Sequence, residues 1–267
     1  MSFTRVTKSH PCAVCKKPDW CRAFDDGWAE CMRVPSDKPA KSGGWMHWLG
    51  GQCPRPISLP PPRCQPTSPA INAAQLMRAW AAATTPVMLA NYSGELGIGA
   101  YSLAKVGAAW AEPHQAWAFP MCDGYGNVVG IRLRNERGKF AVRGSRQGLF
   151  LPDRLAPMSP WPCLYVCEGP TDTAAALELG MFAVGRPNCC CGGPEIKVFA
   201  RRHHVRRVVI IADNDKPGLD GARKVGAELK LPFTIYVPPA KDVREFVQLG
   251  GTREMIENTL HNTIWHP

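Results

Sequence analysis

From residue 163 onward, short apolar segments alternate with helical ones, and this alternation restricts the fold more than any other feature of the sequence. The segments CLYVCEG, from Cys163, and RRVVIIADND, from Arg206, are apolar throughout their centres instead of alternating with polar residues. Such strands are typical of a parallel sheet that is buried on both faces. We therefore predict an α/β fold with a mostly parallel sheet covered by helices on both faces.

Carboxylates stand where two of these strands end. Glu168 closes the first strand, and Asp213 and Asp215 close the other with their side chains on the same side. Asp172 lies in the turn after Glu168, and Asp242 begins the helix after a further strand. Ligands of open α/β sheets bind beyond the carboxyl ends of the strands. Because clustered carboxylates need a cation, we expect Mg²⁺ or Mn²⁺ on all five, with catalytic roles for Glu168, Asp213 and Asp215.

The N-terminal segment contains a second group of ligand-type residues. Four cysteines follow a C-x2-C-x5-C-x9-C spacing: Cys12, Cys15, Cys21 and Cys31. Thiolates in this number complete a tetrahedral Zn²⁺ site, and a segment too small for a large core needs such a staple. The second pair lacks its own C-x2-C, so His10 or His47 is an alternative to Cys21 as a ligand. The competing interpretation is four unlinked reduced thiols.

The charge of the chain favours an acidic partner. Lys and Arg total 32 against 22 Asp and Glu, which gives a net charge of +10 and makes nucleic acid the leading candidate. Basic residues are dense between positions 132 and 154, where only Glu136 and Asp153 oppose them. We expect a surface for nucleic acid or nucleotide built from six cationic side chains: Arg132, Arg134, Lys139, Arg143, Arg146 and Lys241.

Composition shifts divide the chain into four parts. Residues 54–69 contain seven prolines, which is typical of a semi-rigid extended linker. We predict a zinc-binding head over 1–53, the linker over 54–70, a small basic α+β subdomain over 71–160 and the parallel-sheet domain over 161–267.

The 71–160 part combines helical and strand signals. Residues 71–83 are predicted to form a helix with an apolar face of Leu76, Ala79, Trp80 and Ala83. Residues 117–144 contain apolar strands separated by the turn sequences DGYGN and NERGK, and predict an antiparallel meander. In VGIRLRN the arginines occur at i and i+2, which places them on one face of a strand.

The cysteines outside the N-terminal group are interpreted as ordinary reduced thiols. No apolar run in Met1–His10 suggests a signal peptide, and no stretch reaches the length of a membrane span, so we expect a cytoplasmic protein without a membrane partner. GRPNCCCGGPE, which includes Cys189, Cys190 and Cys191, is interpreted as a glycine-rich loop with Arg186 near a phosphate.

The acidic motifs carry a family resemblance. EGPTD at 168–172, IIADND at 210–215 and the following GLDGA resemble the Toprim domain of bacterial-type primases, topoisomerases and some nucleases. The resemblance covers about residues 162–250. With a Cys-rich head and a basic subdomain before it, the chain is similar to DnaG-type replicative primases and their phage and plasmid relatives.

The resemblance implies a DNA primase, a nucleotidyltransferase that makes short RNA primers on a single-stranded DNA template from ribonucleoside triphosphates during DNA replication. In that family the zinc head reads the template, the basic subdomain guides template and nucleotide, and the Toprim acids hold the metals. Here the wide spacing of Cys21 and Cys31 departs from the family's usual second pair. No helicase-binding domain follows in the sequence, so we expect that a helicase partner would be a separate chain or would contact another surface.

Two other functions fit the same residues. A Toprim nuclease would use Glu168 and the aspartates to hydrolyse nucleic acid, and a non-catalytic replication accessory protein would only bind it. A topoisomerase is less compatible, because the chain has only five tyrosines and no room for a strand-passage gate.

Overall fold

The structure is a computed structural model that describes residues 3–40, 42–50, 71–153, 163–261 and 263–267. The chain divides into two compact units, Met1–Pro66 and Thr67–Pro267. The predicted linker over 54–70 lies outside the described residues, as does the end of the predicted basic subdomain, so the four-part division stays a prediction.

The first unit is a four-stranded antiparallel sheet in the order β1-β2-β3-β4. Its strands are β1 (Phe3–Arg5), β2 (Arg22–Phe24), β3 (Trp28–Cys31) and β4 (Trp45–Trp48). The buried cluster at its centre consists of Cys12, Cys21 and Cys31, with a few partly buried apolar side chains around them. So small an apolar core is typical of a module that depends on a metal or another crosslink.

The second unit begins with helices and an antiparallel meander in the order β5-β6-β7-β8. Its elements are α1 (Ala73–Ala83), α2 (Pro86–Leu96), α3 (Ala100–Lys105), β5 (Ala109–Ala111), a 3-10 turn (Glu112–His114), β6 (Ala116–Cys122), β7 (Val128–Asn135) and β8 (Gly138–Ala141). Thr85 caps α2 ahead of Pro86, and the helix ends at Gly97, whose φ of 61° suits glycine.

The predicted helix is confirmed over Ala73–Ala83, but only Leu76 and Trp80 of its predicted apolar face pack against the core. Ala73 and Met77 are buried against the meander, and Leu76 and Trp80 are partly buried beside them. Ala79 and Ala83 are exposed. The contact face consists of the i, i+3, i+4 and i+7 positions counted from Ala73. The predicted face used the same spacing counted from Leu76, so the two faces share only Leu76 and Trp80.

The alternation along β7 separates core from cationic side chains. Ile131 and Leu133 are buried in the cluster that contacts α1, whereas Arg132 and Arg134 lie on the other face. Across the ladder, Arg134 pairs in register with Lys139 of β8.

The rest of the second unit is a parallel sheet in the order β10-β9-β11-β12. Its elements are β9 (Leu164–Glu168), α4 (Pro170–Glu178), β10 (Ala183–Arg186), α5 (Gly193–Arg202), β11 (Val208–Ile211), α6 (Lys216–Leu229), β12 (Phe233–Tyr236), α7 (Val243–Gln248) and α8 (Arg253–His261).

Helices cover both faces of this sheet. Cys167 and Val209 belong to a core cluster with residues of α4 and α7, whereas Val166 and Ile210 belong to a second cluster with residues of α5 and α6. The predicted α/β class is therefore confirmed. No helix in the part of the chain that the structure describes is long and apolar enough to cross a membrane.

Candidate active site and four-cysteine cluster

The strand order explains why the predicted acids come together. β9 and β11 are neighbours, with Val166 and Ile210 in register, so both strands reach the same edge of the sheet with their carboxyl ends. Glu168 ends β9, and Asp213 follows β11 by two residues. Ligands of open α/β sheets bind outside the carboxyl ends of the strands, which is where these acids lie.

Asp172 lies in the first turn of α4 and is buried, with a relative exposure of 6%. The pKa of Asp172 is raised to about 8. Burial is the main cause, and the negative charges of Asp242 and Asp213 act in the same direction. Its Oδ1 atom has no hydrogen-bond partner among the described residues. Asp172 is thus a buried carboxyl group with an unused oxygen beside other acids.

Asp213 and Asp215 take different environments although they are two residues apart. Burial, and then the charges of Glu168, Asp242 and Asp215, raise the pKa of Asp213 to about 6. Asp215 is exposed and caps α6, because its Oδ1 accepts a hydrogen bond from the backbone N–H of Gly218 at 2.7 Å. The cap fixes the orientation of this carboxylate at the start of α6.

Asp242 is fixed in the same way at the start of α7. Its Oδ1 accepts from the backbone N–H of Glu245 at 2.8 Å, and its Oδ2 lies 3.6 Å from Nη2 of Arg244. Asp242 is buried, so this ion pair is better shielded from solvent than a surface pair would be. Arg244, which the sequence did not single out, also lowers the pKa of Asp172 against the effect of burial.

Two of the predicted cations lie on the side of the meander next to the acids. The positive charge of Lys139 opposes the burial-driven rise in the pKa of Glu168, Asp172 and Asp213, which places its ammonium group in their field. Arg134 donates a hydrogen bond from Nη1 to Oγ1 of Thr171 at 3.0 Å. The acidic edge of the parallel sheet therefore faces a cationic strand pair, β7 and β8.

The other predicted cations have different surroundings. Arg132 donates from Nη2 to the carbonyl of Pro187 at 3.2 Å. Arg143, Arg146 and Lys241 are exposed. Lys241 uses its backbone N–H to donate to Oε2 of Glu245 at 2.6 Å, which fixes the turn before α7.

Arg186 does not lie where we expected it. Instead of facing outward to a phosphate, its side chain is fully buried at the end of β10, 3.8 Å from Glu168 between Nη2 and Oε2. The position follows from strand pairing, since Arg186 is opposite Glu168 in the parallel ladder. An arginine in a glycine-rich segment gave no sequence signal of burial.

The acidic residues fit a hard divalent cation by their chemistry. Carboxylate oxygens are the ligands that Mg²⁺ and Mn²⁺ prefer, and Asp172 Oδ1 and Glu168 Oε2 are buried without hydrogen-bond partners among the described residues. Among the residues that the structure describes, the four cysteines, and not these carboxylates, are already arranged to hold a metal ion. A metal would have to draw them together.

The four cysteines form a compact cluster. Their Sγ atoms all lie within 4.8 Å of one another, with Cys12, Cys21 and Cys31 buried and Cys15 half-buried. Backbone N–H groups point at the cluster: Met32 donates to Cys21 Sγ at 3.4 Å, and Val34 donates to Cys31 Sγ at 3.3 Å. Hydrogen bonds of this kind stabilise thiolate charge.

The two histidine alternatives do not enter the cluster. Nε2 of His47 is 2.9 Å from the carbonyl of Val34, and Nδ1 of His10 is 3.2 Å from Oγ of Ser9. Burial raises the pKa of the Cys21 thiol to about 12. Four thiolates this close would repel one another without a cation between them. The cluster is therefore consistent with Zn²⁺, which binds cysteine as thiolate.

Comparisons with known proteins match this architecture. No protein-family model matches the sequence, and no curated protein matches it. The DnaG catalytic core superimposes with a TM-score of 0.54 at 17% identity, over 72% of this chain and 80% of that one. The primase fragment of the bacteriophage T7 primase-helicase protein gives 0.50 at 18% identity, over 96% and 99%.

The zinc-binding and RNA polymerase domains of the Aquifex aeolicus primase give a TM-score of 0.55 at 13% identity, over 73% of this chain and 60% of that one. At such identities the similarity is one of fold. The predicted resemblance is confirmed at that level: this chain has the fold of the DnaG and T7 primase catalytic cores, with a four-cysteine cluster in its N-terminal unit.

Proposed function

We propose that this protein is a DNA primase, which uses Mg²⁺ or Mn²⁺ to make short RNA primers on single-stranded DNA. The observation that carries the proposal is the acidic edge of the parallel sheet facing Lys139, in a chain with a primase-core fold. Phosphoryl transfer needs positioned charge of both signs, because cations hold the phosphates and carboxylates hold the metal that neutralises them.

In this proposal Glu168, Asp172, Asp213, Asp215 and Asp242 form the metal-binding set. When bound, the divalent cation would lower the barrier to attack by a ribose 3′-hydroxyl and stabilise the pyrophosphate that leaves. Glu168, Asp213 and Asp215 are the proposed catalytic residues. The capping bonds of Asp215 and Asp242 to backbone N–H groups orient their carboxylates before any ligand arrives.

The cations of the meander would bind the substrates. The positive charge of Lys139 opposes the rise in the pKa of Glu168, Asp172 and Asp213, and we assign Lys139 to the nucleotide phosphates. Arg132, Arg134, Arg143, Arg146 and Lys241 would extend a cationic surface for the template backbone, whose affinity rests on such contacts. A DnaG primase catalytic domain has been determined bound to single-stranded DNA, with 17% identity and a TM-score of 0.53 to this chain.

We assign Zn²⁺ to Cys12, Cys15, Cys21 and Cys31 in the first unit. The sulfur geometry and the N–H donors from Met32 and Val34 support a closed structural site. Bound there, the metal would hold the small sheet in one conformation. We infer a cytoplasmic role in DNA replication for the whole chain, in keeping with its reduced cysteines.

The decisive test is a priming assay with single-stranded DNA, four ribonucleoside triphosphates and Mg²⁺ or Mn²⁺. Short RNA products that disappear in Asp213→Asn, and persist in the surface variant Asp220→Asn, would establish the primase. Shortened template without RNA products would establish a nuclease instead. Retained DNA binding with neither product would leave a non-catalytic accessory protein.

A further inference from the structure

Arg186 is the largest side chain that is fully buried in the described part of the chain. It ends β10, at the same edge of the sheet as the acids. The guanidinium group keeps its positive charge at any pH that proteins tolerate. A fixed charge in the interior is costly unless it has a partner, so the surroundings of Arg186 should show what it serves.

The nearest opposite charge is Glu168. The two residues are partners in the parallel ladder of β9 and β10, and their charged groups are 3.8 Å apart. The ladder fixes the Cα positions of both residues, so this pairing is set by the backbone and not by a chance rotamer. Among the described residues, Glu168 Oε2 is the one carboxylate oxygen recorded within ion-pair distance of Arg186.

The distance between the two groups has a chemical meaning. A charge-assisted hydrogen bond would be about 2.7–2.9 Å long, and at 3.8 Å neither Glu168 Oε2 nor Arg186 Nη2 has a hydrogen-bond partner among the described residues. The positive charge of Arg186 therefore attracts the Glu168 carboxylate, while the lone pairs of its Oε2 atom stay available to a ligand. A group held this way keeps its place and still has an oxygen to offer a ligand.

The guanidinium is anchored on its other side by the loop after β10. Nη1 donates to the carbonyl of Cys189. That carbonyl lies against Gly221 of α6, where a Cβ atom would collide with it. Because α6 begins at the Asp213-Asn214-Asp215 turn, the same helix braces the loop that holds Arg186.

We propose that Arg186 is a positioning residue for Glu168, holding this carboxylate at the sheet edge against repulsion from Asp213 and Asp215. The Glu168 side chain is 22% exposed, so it has a path outward to solvent that the buried arginine opposes. The catalytic consequence rests on the proposed function, whereas the pairing itself does not. The competing role for Arg186 is only to fix the loop through the Cys189 carbonyl.

A stability cycle tests the pairing without any activity. The melting temperatures of the wild type, Arg186→Met, Glu168→Gln and the double variant are compared in the zinc-loaded protein without added Mg²⁺ or Mn²⁺. We expect Arg186→Met to lower the melting temperature by at least about 4 °C more when Glu168 is present than in the Glu168→Gln background. Equal losses in both backgrounds would overturn the pairing and leave the loop-fixing role. If Arg186→Met does not fold, Arg186→Lys and Arg186→Gln take its place in the cycle.

Priming kinetics test the positioning. We expect Arg186→Met to lower kcat at least about ten-fold with the nucleotide KM unchanged, and Arg186→Lys to recover part of the loss. Arg253→Met, which removes a surface ion pair with Glu257, is the matched control and should change neither constant. A Lys variant as impaired as the Met variant, or a change in KM alone, contradicts positioning. If the wild type itself does not prime, the proposed function fails while the stability cycle still decides the pairing.

Discussion

Arg134 donates a hydrogen bond to the hydroxyl of Thr171 at 3.0 Å, one residue before the buried carboxyl group of Asp172. The bond joins β7 of the meander to α4 of the parallel-sheet region. A cationic strand is thereby tied to the helix that carries the most strongly perturbed acid of the site. The groups that we propose to bind substrate and metal are in this way connected by a direct hydrogen bond between their elements.

Replacing Asp213 with Asn should abolish priming without unfolding the protein. Loss of even an outer-shell partner of a metal costs about 10- to 100-fold in activity, so we expect at least about a 100-fold loss of primer synthesis. The melting temperature should stay or rise, because the half-buried carboxylate is repelled by three others. Asp220→Asn, on the exposed face of α6, should prime normally. Full activity of Asp213→Asn would remove this residue from the catalytic set.

Stability of the protein without Mg²⁺ or Mn²⁺ should fall as pH rises. The pKa of Asp172 is raised to about 8 in the folded state, so the folded protein holds this proton more tightly than the unfolded chain does. The contribution is fully present below the unfolded pKa of about 4 and is lost as pH rises to about 8, with a slope of up to about 1.4 kcal/mol per pH unit. Melting of the zinc-loaded protein without added Mg²⁺ or Mn²⁺, between pH 5.5 and 8.5, measures it.

Asp172→Asn is the control for that slope and should flatten it. Mg²⁺ or Mn²⁺ should raise the melting temperature more at pH 8 than at pH 6, since protons compete with the cation. An unchanged slope in Asp172→Asn would mean that another group titrates.

Lys139→Gln should weaken nucleotide binding. The ammonium of Lys139 acts on Glu168, Asp172 and Asp213 at once, and we expect the nucleotide KM to rise about ten-fold with a smaller change in DNA affinity. Arg137→Gln, in the turn before β8, is the matched control. If both variants raise KM equally, the effect is one of general charge and not of position.

Cys31→Ser should release zinc and unfold the first unit. Structural Zn²⁺ supplies the folding free energy of small modules, and the buried core of this one consists of cysteines. Metal analysis should give one zinc per chain in the wild type and none in the variant, with protease resistance lost within the first unit. Cys190→Ser removes an exposed thiol and should keep the metal. Retained zinc in Cys31→Ser would remove Cys31 from the ligand set.

Gly185→Ala should destabilise the parallel sheet. A Cβ atom there would collide with Oγ1 of Thr173 and lie 2.7 Å from the carbonyl of Gly169, both at the start of α4. Overpacking of this kind costs about 1–3 kcal/mol of unfolding free energy, measurable by urea titration. Gly94→Ala, within α2 and open around the added atom, should instead stabilise by about 0.5–1 kcal/mol. Equal effects at both glycines would contradict the packing argument.

The sequence predicted the features that depend on local pattern. Apolar strands ending at Glu168 and before Asp213 were sufficient to predict the parallel sheet and the edge where the acids meet, because strand polarity and side-chain alternation are local properties. The spacing of the four cysteines similarly predicted their cluster. The assignment of roles to these residues remains a proposal.

Features that depend on packing between distant elements were not predictable. The burial of Asp172 follows from the contact of α4 with the rest of the core, and that of Arg186 follows from the loop that covers β10. The apolar face of α1 was predicted only in part. Alanine is compatible with either side of a helix, and the buried alanine is Ala73, whereas the predicted Ala79 and Ala83 are exposed.

The order of the parallel strands also determines when the acidic site forms during folding. Glu168 and Asp213 meet only after β9 and β11 pair, and those strands are separated in sequence by α4, β10 and α5. Contacts between residues so far apart in sequence form late in folding, because closing the long intervening segment costs chain entropy. A divalent ion that recognises the acids would therefore slow unfolding and leave the rate of folding nearly unchanged.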